Sequence, residues 1–298
     1  MITLEEIILG ILCIETITLV VFFYIVFNLK RSMFGLIVDK EKAISTLEFL
    51  TNQNKILNHE IDKSKQISKA FYPKKEHISD LKFDICGLSV PSHKVSGDYY
   101  DVFTSSGSVY FGIGDVTGHG LTSSILSLVI SRKIRTFIEL GKKDIPSILD
   151  SCNNEIITEG TKYMSLLIGR ITPGNKIEAY GKQESIVVCK TGALEVLDDK
   201  TGFILGNSSF SKDNIPKYNI EIEPNEFILL YSDGVTELEN SAKQAVGIEG
   251  IKTFINNSAG TLRYMSAAGI CQEIVDFLAT WGADYVEDDI TLLVIKRK

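Results

Sequence analysis

The sequence predicts an α+β domain behind a long apolar and helical N-terminal stretch, and three observations carry this. From about residue 81 onward, short apolar runs bounded by Gly, Asn and Asp alternate with longer segments of helical periodicity. Most connections between the runs are short enough for antiparallel pairing. Four acidic motifs each set an Asp at the edge of an apolar run: Ser96-Gly97-Asp98-Tyr99-Tyr100-Asp101, Gly114-Asp115-Val116-Thr117-Gly118-His119-Gly120, Ser232-Asp233-Gly234-Val235-Thr236-Glu237 and Asp288-Asp289-Ile290-Thr291.

Residues 7–27 contain no Lys or Arg and one acid, Glu15. At roughly 20 residues such a run can cross a bilayer as a helix. The bases Lys30 and Arg31 follow the run and none precedes it, so a cleaved signal peptide fits poorly and the positive-inside rule places the C-terminal side in the cytoplasm. A membrane anchor is therefore expected over residues 1–30, in the inner or plasma membrane. A charge at mid-span costs a few kcal/mol on insertion scales, so Glu15 is protonated, paired across an oligomer, or tolerated in a very apolar helix.

Residues 39–71 lack Gly and Pro and repeat in alternating steps of four and three through Ala43, Leu47, Leu50, Asn54, Leu57, Ile61, Ser64, Ser68 and Phe71. That pattern fits a coiled coil capable of pairing two copies of the chain, with Asn54 setting register; the alternative is one amphipathic helix lying on the following domain. Pro73 breaks the helix, which bounds a linker at 31–73 and a globular domain at 74–298.

In that domain strands are expected at 83–89, 98–103, 108–114, 165–171, 177–180, 185–189, 227–231 and 291–295, and helices at 120–140, 145–159, 247–257 and 263–280. The net charge of -7, from 31 Lys+Arg against 38 Asp+Glu with no block of like charge, argues against nucleic acid as a partner. Five cysteines stand far apart, odd in number and with no C-x-x-C pair, so neither a disulfide framework nor a zinc knuckle is indicated.

Carboxylates delivered to neighbouring sheet ends can converge only if a hard cation neutralises them, so the four motifs together point to a polynuclear metal site. Each Gly-Asp or Asp-Gly pair alone is most often only a turn; the joint occurrence carries the inference. The glycines around Asp115 do not form a nucleotide loop: Thr117 stands where a dinucleotide fingerprint needs Gly, and no Gly-Lys-Ser/Thr follows. His119 is open to two readings, a proton donor or a histidine capping the helix that follows.

The order and wording of these motifs resemble the PPM/PP2C superfamily of metal-dependent protein phosphatases, and more closely its SpoIIE/RsbU-like bacterial branch. The resemblance runs from about residue 66 to 298. It implies a β-sandwich of two antiparallel sheets flanked by helices, and a serine/threonine phosphatase acting on a regulatory phosphoprotein of the STAS anti-sigma-antagonist type. It further implies two divalent cations, Mn²⁺ or Mg²⁺. By the same resemblance Asp115 bridges both cations, Asp233 and Asp288 complete the first, and Asp98 and the backbone carbonyl of Val116 hold the second. Asp101 and Asp289 support these ligands from behind.

Two positions depart from the family pattern. Ser96 replaces a usual Gly, and residues 178–184 replace an Asn-Ala-Gly-His-like stretch, which bears on the substrate groove rather than on the ligands. The competing reading is a phosphatase-fold scaffold that binds the phosphoprotein without turnover. A degenerate site would be expected to lose ligands, and all four principal Asp positions are filled.

Overall fold

The structure, a computed structural model, describes residues 4–71, 75–79, 82–92, 96–118, 120–160, 162–198, 203–282 and 288–298. It divides into two units, Met1–Glu60 and Ile61–Lys298. The first is helical, part of α1 (Leu4–Phe71). Among the described residues α1 is the one helix long and apolar enough, by length and composition, to cross a membrane, and none of its apolar window is buried. The side chains of Leu57 and Ile61 in the expected coil, and Pro73 that would end it, lie outside the described residues.

The second unit is a sandwich of two antiparallel sheets flanked by helices. The strands, in chain order, are β1 (Lys75–Ser79), β2 (Phe83–Val90), β3 (Tyr99–Ser105), β4 (Ser108–Val116), β5 (Met164–Ile171), β6 (Ile177–Lys182), β7 (Ile186–Lys190), β8 (Ala193–Leu197), β9 (Lys217–Ile220), β10 (Phe227–Tyr231) and β11 (Ile290–Arg297). One sheet has six strands in the order β1-β2-β11-β10-β7-β8; the other has five, in the order β3-β4-β5-β6-β9. The helices are α2 (Leu121–Glu139), α3 (Ile145–Glu159), the short α4 (Asp233–Thr236), α5 (Gly247–Leu262) and α6 (Ala267–Trp281).

Three apolar layers follow from period-two alternation on strands that are buried on both faces. On β11, Leu293 and Ile295 face the middle layer with Ile85, Ile113, Leu167 and Ile228. Leu292 and Val294 face the opposite way, onto Ile251 and Ile255 of α5 and Ile270 and Ile274 of α6. The outer face of the five-stranded sheet, through Tyr99, Tyr110 and Ile168, packs on Ile130 and Ile134 of α2 and Ile148 and Cys152 of α3.

Local chemistry sets the helix ends. Asp144 caps α3 by accepting from Ser147 N at 3.2 Å, and Gly160 closes it at φ 87°. Ser266 caps α6 by accepting from Gly269 N at 3.1 Å. The strands β1, β8 and β9 have no counterpart among the sequence-based expectations. They are short and lie at or near sheet edges, where exposure weakens the alternation that reveals a strand. The helix expected over 263–280 starts later, because Ser266 supplies the cap.

Candidate metal centre

Asp98 stands just before β3 of the five-stranded sheet, and Asp115 near the end of the neighbouring β4. Asp233 opens α4 immediately after β10 of the other sheet. One carboxylate oxygen from each of these three residues lies within 4.8 Å of the others. The two sheets therefore converge on one acidic cluster at an end of the sandwich.

A network between backbones holds this geometry. Ser232 N donates to Thr291 O at 3.0 Å, Thr291 N donates back to Ser232 Oγ at 2.9 Å, and Ser232 Oγ donates to the Asp289 carbonyl at 3.0 Å. The buried carboxylate of Asp289 accepts from Ser92 N at 2.8 Å and Ser92 Oγ at 3.1 Å through one oxygen, and from Gly97 N at 3.1 Å through the other. Asp289 thus ties the start of β11 to the segment that delivers Asp98. From α2, Ser124 Oγ donates to Ser96 O at 2.6 Å and Ser127 Oγ to Asp98 O at 3.3 Å. Thr291 Oγ1 donates to Asp98 Oδ2.

Among the described residues, the acidic site has no Lys or Arg paired with its carboxylates. Burial pushes the Asp98 carboxyl well above the ordinary range, opposed by the Thr291 hydrogen bond and reinforced by Asp115 and Asp289. Asp115 is raised to about 7, first by burial and then by the charges of Asp233, Asp288 and Asp289. Asp233 is raised by burial, then by Asp288 and Glu237.

The remaining expected residues separate. Asp288 is exposed and stands outside the three-carboxylate group, although its charge reaches Asp115 and Asp233; its Oδ1 accepts from Asp289 N at 2.7 Å. Asp101 lies three residues beyond Asp98, where both its oxygens are taken by Arg135 of α2. Burial still raises its carboxyl, with Arg135 pulling it back. Its position makes it a tie between β3 and α2. His119 lies outside the described residues.

Sequence reasoning overlooked Thr291, Ser232 and Glu184. Thr291 was visible only as the last letter of Asp-x-x-Thr. Glu184, in the stretch that departs from the family pattern, is raised by burial and then by the charge of Asp233, so it adds to the acidity of this end.

The donor set fits a hard divalent cation, since every group is oxygen. A cradle supports this: a Cβ added at Gly97 would sit 3.4 Å from Val116 O, 3.5 Å from Asp115 Oδ1 and 3.5 Å from Gly118 O. A Cβ there would be in ordinary contact with all three oxygens, so the glycine leaves the most room around them.

A family model described as Stage II sporulation protein E (SpoIIE) matches residues 105–298. The phosphoserine phosphatase RsbU of Bacillus subtilis is 25% identical over 225 residues, covering 72% of this chain and 63% of RsbU. Protein IcfG of Synechocystis is 24% identical over 275 residues, covering 80% of this chain and 41% of that protein. The chain thus spans less than two thirds of the length of either relative. Among solved structures, the SiaA-PP2C domain of Pseudomonas aeruginosa superposes with a TM-score of 0.66 at 16% identity, over 82% of this chain and 98% of that one; the likeness is one of fold.

Proposed function

The chain belongs to the SpoIIE family of PP2C-like phosphatases, and on that premise we propose that it hydrolyses phosphoserine or phosphothreonine on a regulatory protein of the STAS anti-sigma-antagonist type. The observation that best supports the reading is the meeting of Asp98, Asp115 and Asp233, from both sheets, within 4.8 Å. In this reading Asp115 would serve two divalent cations, Mn²⁺ or Mg²⁺. Asp233 and Asp288 would help hold one, and Asp98 and the Val116 carbonyl the other. Bound there, the pair would supply a water deprotonated near neutral pH and would screen the phosphoryl oxygens.

The chain's own residues prepare that site. Thr291 fixes one oxygen of Asp98. Ser232 and Asp289 lock the two strand ends that carry Asp233 and Asp288. Asp288 is exposed, and its charge already acts on Asp115 and Asp233.

The reading extends to the N-terminal part. Residues 7–27 anchor the chain in the inner or plasma membrane, with the domain from residue 74 on the cytoplasmic side, because Lys30 and Arg31 follow the span. Residues 31–73 pair two copies as a coiled coil and regulate turnover.

The test is a Mn²⁺ and Mg²⁺ titration of phosphatase activity on a phosphoserine protein, comparing the unaltered chain with Asp233→Asn. Turnover should require the cation and fall by about a hundredfold or more in the variant. Metal-independent turnover, or a variant of undiminished activity, would overturn the mechanism.

A further inference from the structure

Lys162 and Tyr163, just before β5, grip every polar atom of Thr117, the second residue after Asp115. Thr117 N donates to Tyr163 O at 2.9 Å, Tyr163 N donates to Thr117 Oγ1 at 3.0 Å, and Lys162 Nζ donates to Thr117 O at 2.7 Å. Lys162 Nζ also donates to Ser123 Oγ at 3.2 Å. An ammonium carries three N–H groups. Two are used here, and the third has no acceptor among the described residues, on a side chain that remains partly exposed.

The position of the ammonium is built into the acidic motif. Gly118 has φ 78°, and a Cβ there would come within 2.9 Å of Lys162 Nζ. The glycine therefore both makes the turn and leaves the space in which the ammonium rests on the loop. The carbonyl of the same Gly118 belongs to the oxygen cradle around Gly97, so one short loop touches both the cradle and the lysine.

Charge balance says what that lysine is for. Among the described residues, no Lys or Arg pairs with Asp98, Asp115, Asp233 or Asp288. Four carboxylates and two divalent cations would cancel, and a phosphomonoester then arrives as a dianion with no counter-charge left over. A cation held on the loop that follows Asp115 answers that charge, and a lysine serving the carboxylates would have paired with one of them. We propose that Lys162 is a phosphate-binding residue whose remaining N–H donates to a peripheral phosphoryl oxygen of the substrate and of the product phosphate. The substrate half of this inference rests on the phosphatase reading; binding of phosphate itself does not.

The experiment uses inorganic phosphate as the probe and titrates it calorimetrically into the full chain saturated with Mn²⁺, after Mn²⁺ affinity has been measured on the same samples. Loss of one charge-assisted hydrogen bond should weaken phosphate binding by about tenfold or more in Lys162→Gln, with Lys162→Arg recovering most of it. Mn²⁺ affinity should stay level or rise, because a neighbouring positive charge has been removed. With a phosphoserine peptide, Lys162→Gln should raise KM more than it lowers kcat.

Equal phosphate affinity in Lys162→Gln and the unaltered chain overturns the proposal, as does an unaltered chain that binds no phosphate. A variant that loses Mn²⁺ affinity yet binds phosphate normally at saturating Mn²⁺ also overturns it, leaving Lys162 only as a brace for Thr117. A chain that binds phosphate through Lys162 but never turns over a phosphoserine substrate refutes the phosphatase reading alone.

Discussion

Thr291 of the six-stranded sheet hydrogen-bonds through its hydroxyl to Asp98 at the head of the five-stranded sheet, and both side chains are buried. This contact joins the two halves of the sandwich at the acidic cluster. It also opposes the burial that raises the Asp98 carboxyl, because a hydroxyl donating to a carboxylate favours the charged form. Removing it should make Asp98 a poorer cation ligand. Thr291→Val keeps the shape and deletes the donor, so the apparent Mn²⁺ affinity should fall by about tenfold, with Thr291→Ser restoring most of it. Calorimetric metal titration checks this, and equal affinity in Thr291→Val would show the bond to be idle.

Neighbouring aspartates should respond in opposite directions. Asp288 is exposed and adds repulsion to Asp115 and Asp233, whereas Asp289 is buried and holds Ser92 and Gly97. Without metal, Asp288→Asn should leave Tm level or raise it, while Asp289→Ala should lower it by several degrees, since each kcal/mol shifts Tm by about 2–4 °C in a domain of this size. With metal, Asp288→Asn should weaken binding sharply. Thermal melts with and without Mn²⁺ separate the two roles, and a parallel loss of metal-free Tm in both variants would contradict them.

The cluster also sets a pH dependence for the metal-free protein. The Asp115 carboxyl lies at about 7 when folded against an ordinary value of 3.8. At low pH both the folded and the unfolded forms are protonated; between those values the folded form binds the extra proton. Stability must then decline as pH rises, with the full penalty present above about 7. Asp98 and Asp233 are raised too and act in the same direction. In EDTA, Tm should drop by several degrees between about pH 5 and 8, and saturating Mg²⁺ should flatten or reverse the slope. A metal-free Tm that rises over this interval would mean the carboxylates are not raised by the fold.

The Arg135–Asp101 pair should prove structural. Arg135 Nε donates to Asp101 Oδ2 at 2.6 Å, and the guanidinium also lies 4.7 Å from the centre of the Phe103 ring. Arg135→Ala leaves a buried carboxylate without its partner, at a cost of about 3 kcal/mol for a buried pair. Tm should fall by about 6–12 °C with Mn²⁺ affinity unchanged. Melting and metal titration of the same sample test this, and a metal affinity that collapses with an intact fold would move Asp101 into the metal site.

Membrane attachment is tested by deletion. Removing residues 1–30 should move the protein from the membrane pellet to the soluble fraction while metal-dependent turnover persists. A full chain that is soluble without detergent would refute the anchor.

The strands that carry the site were legible because they are buried: Phe227–Tyr231, Ser108–Val116 and Ile290–Arg297 are nearly continuous apolar runs bordered at one end by acidic motifs. The edge strand Lys217–Ile220 was not, since an exposed ladder edge need not alternate. Asp98, Asp115 and Asp233 stood out for a similar reason, as carboxylates placed at the edges of apolar runs. Asp101 shares the first motif with Asp98 and was expected only to support the ligands; its position on β3 brings it to Arg135 of α2.

The sequence by itself determined the α+β class and the acidic motifs, because periodicity, hydropathy and turn chemistry are local properties of the chain. Only the tertiary structure decided which carboxylates meet. Asp98 and Thr291 are separated by 193 positions, and Ser92 and Asp289 by 197; no local pattern encodes such a pairing. It arises when two sheets bury their apolar faces against each other and bring the ends of β3, β4, β10 and β11 to one edge. The same packing separates Asp289, enclosed as a brace, from Asp288, left exposed beside the cluster, and it sets Lys162 on the glycine loop.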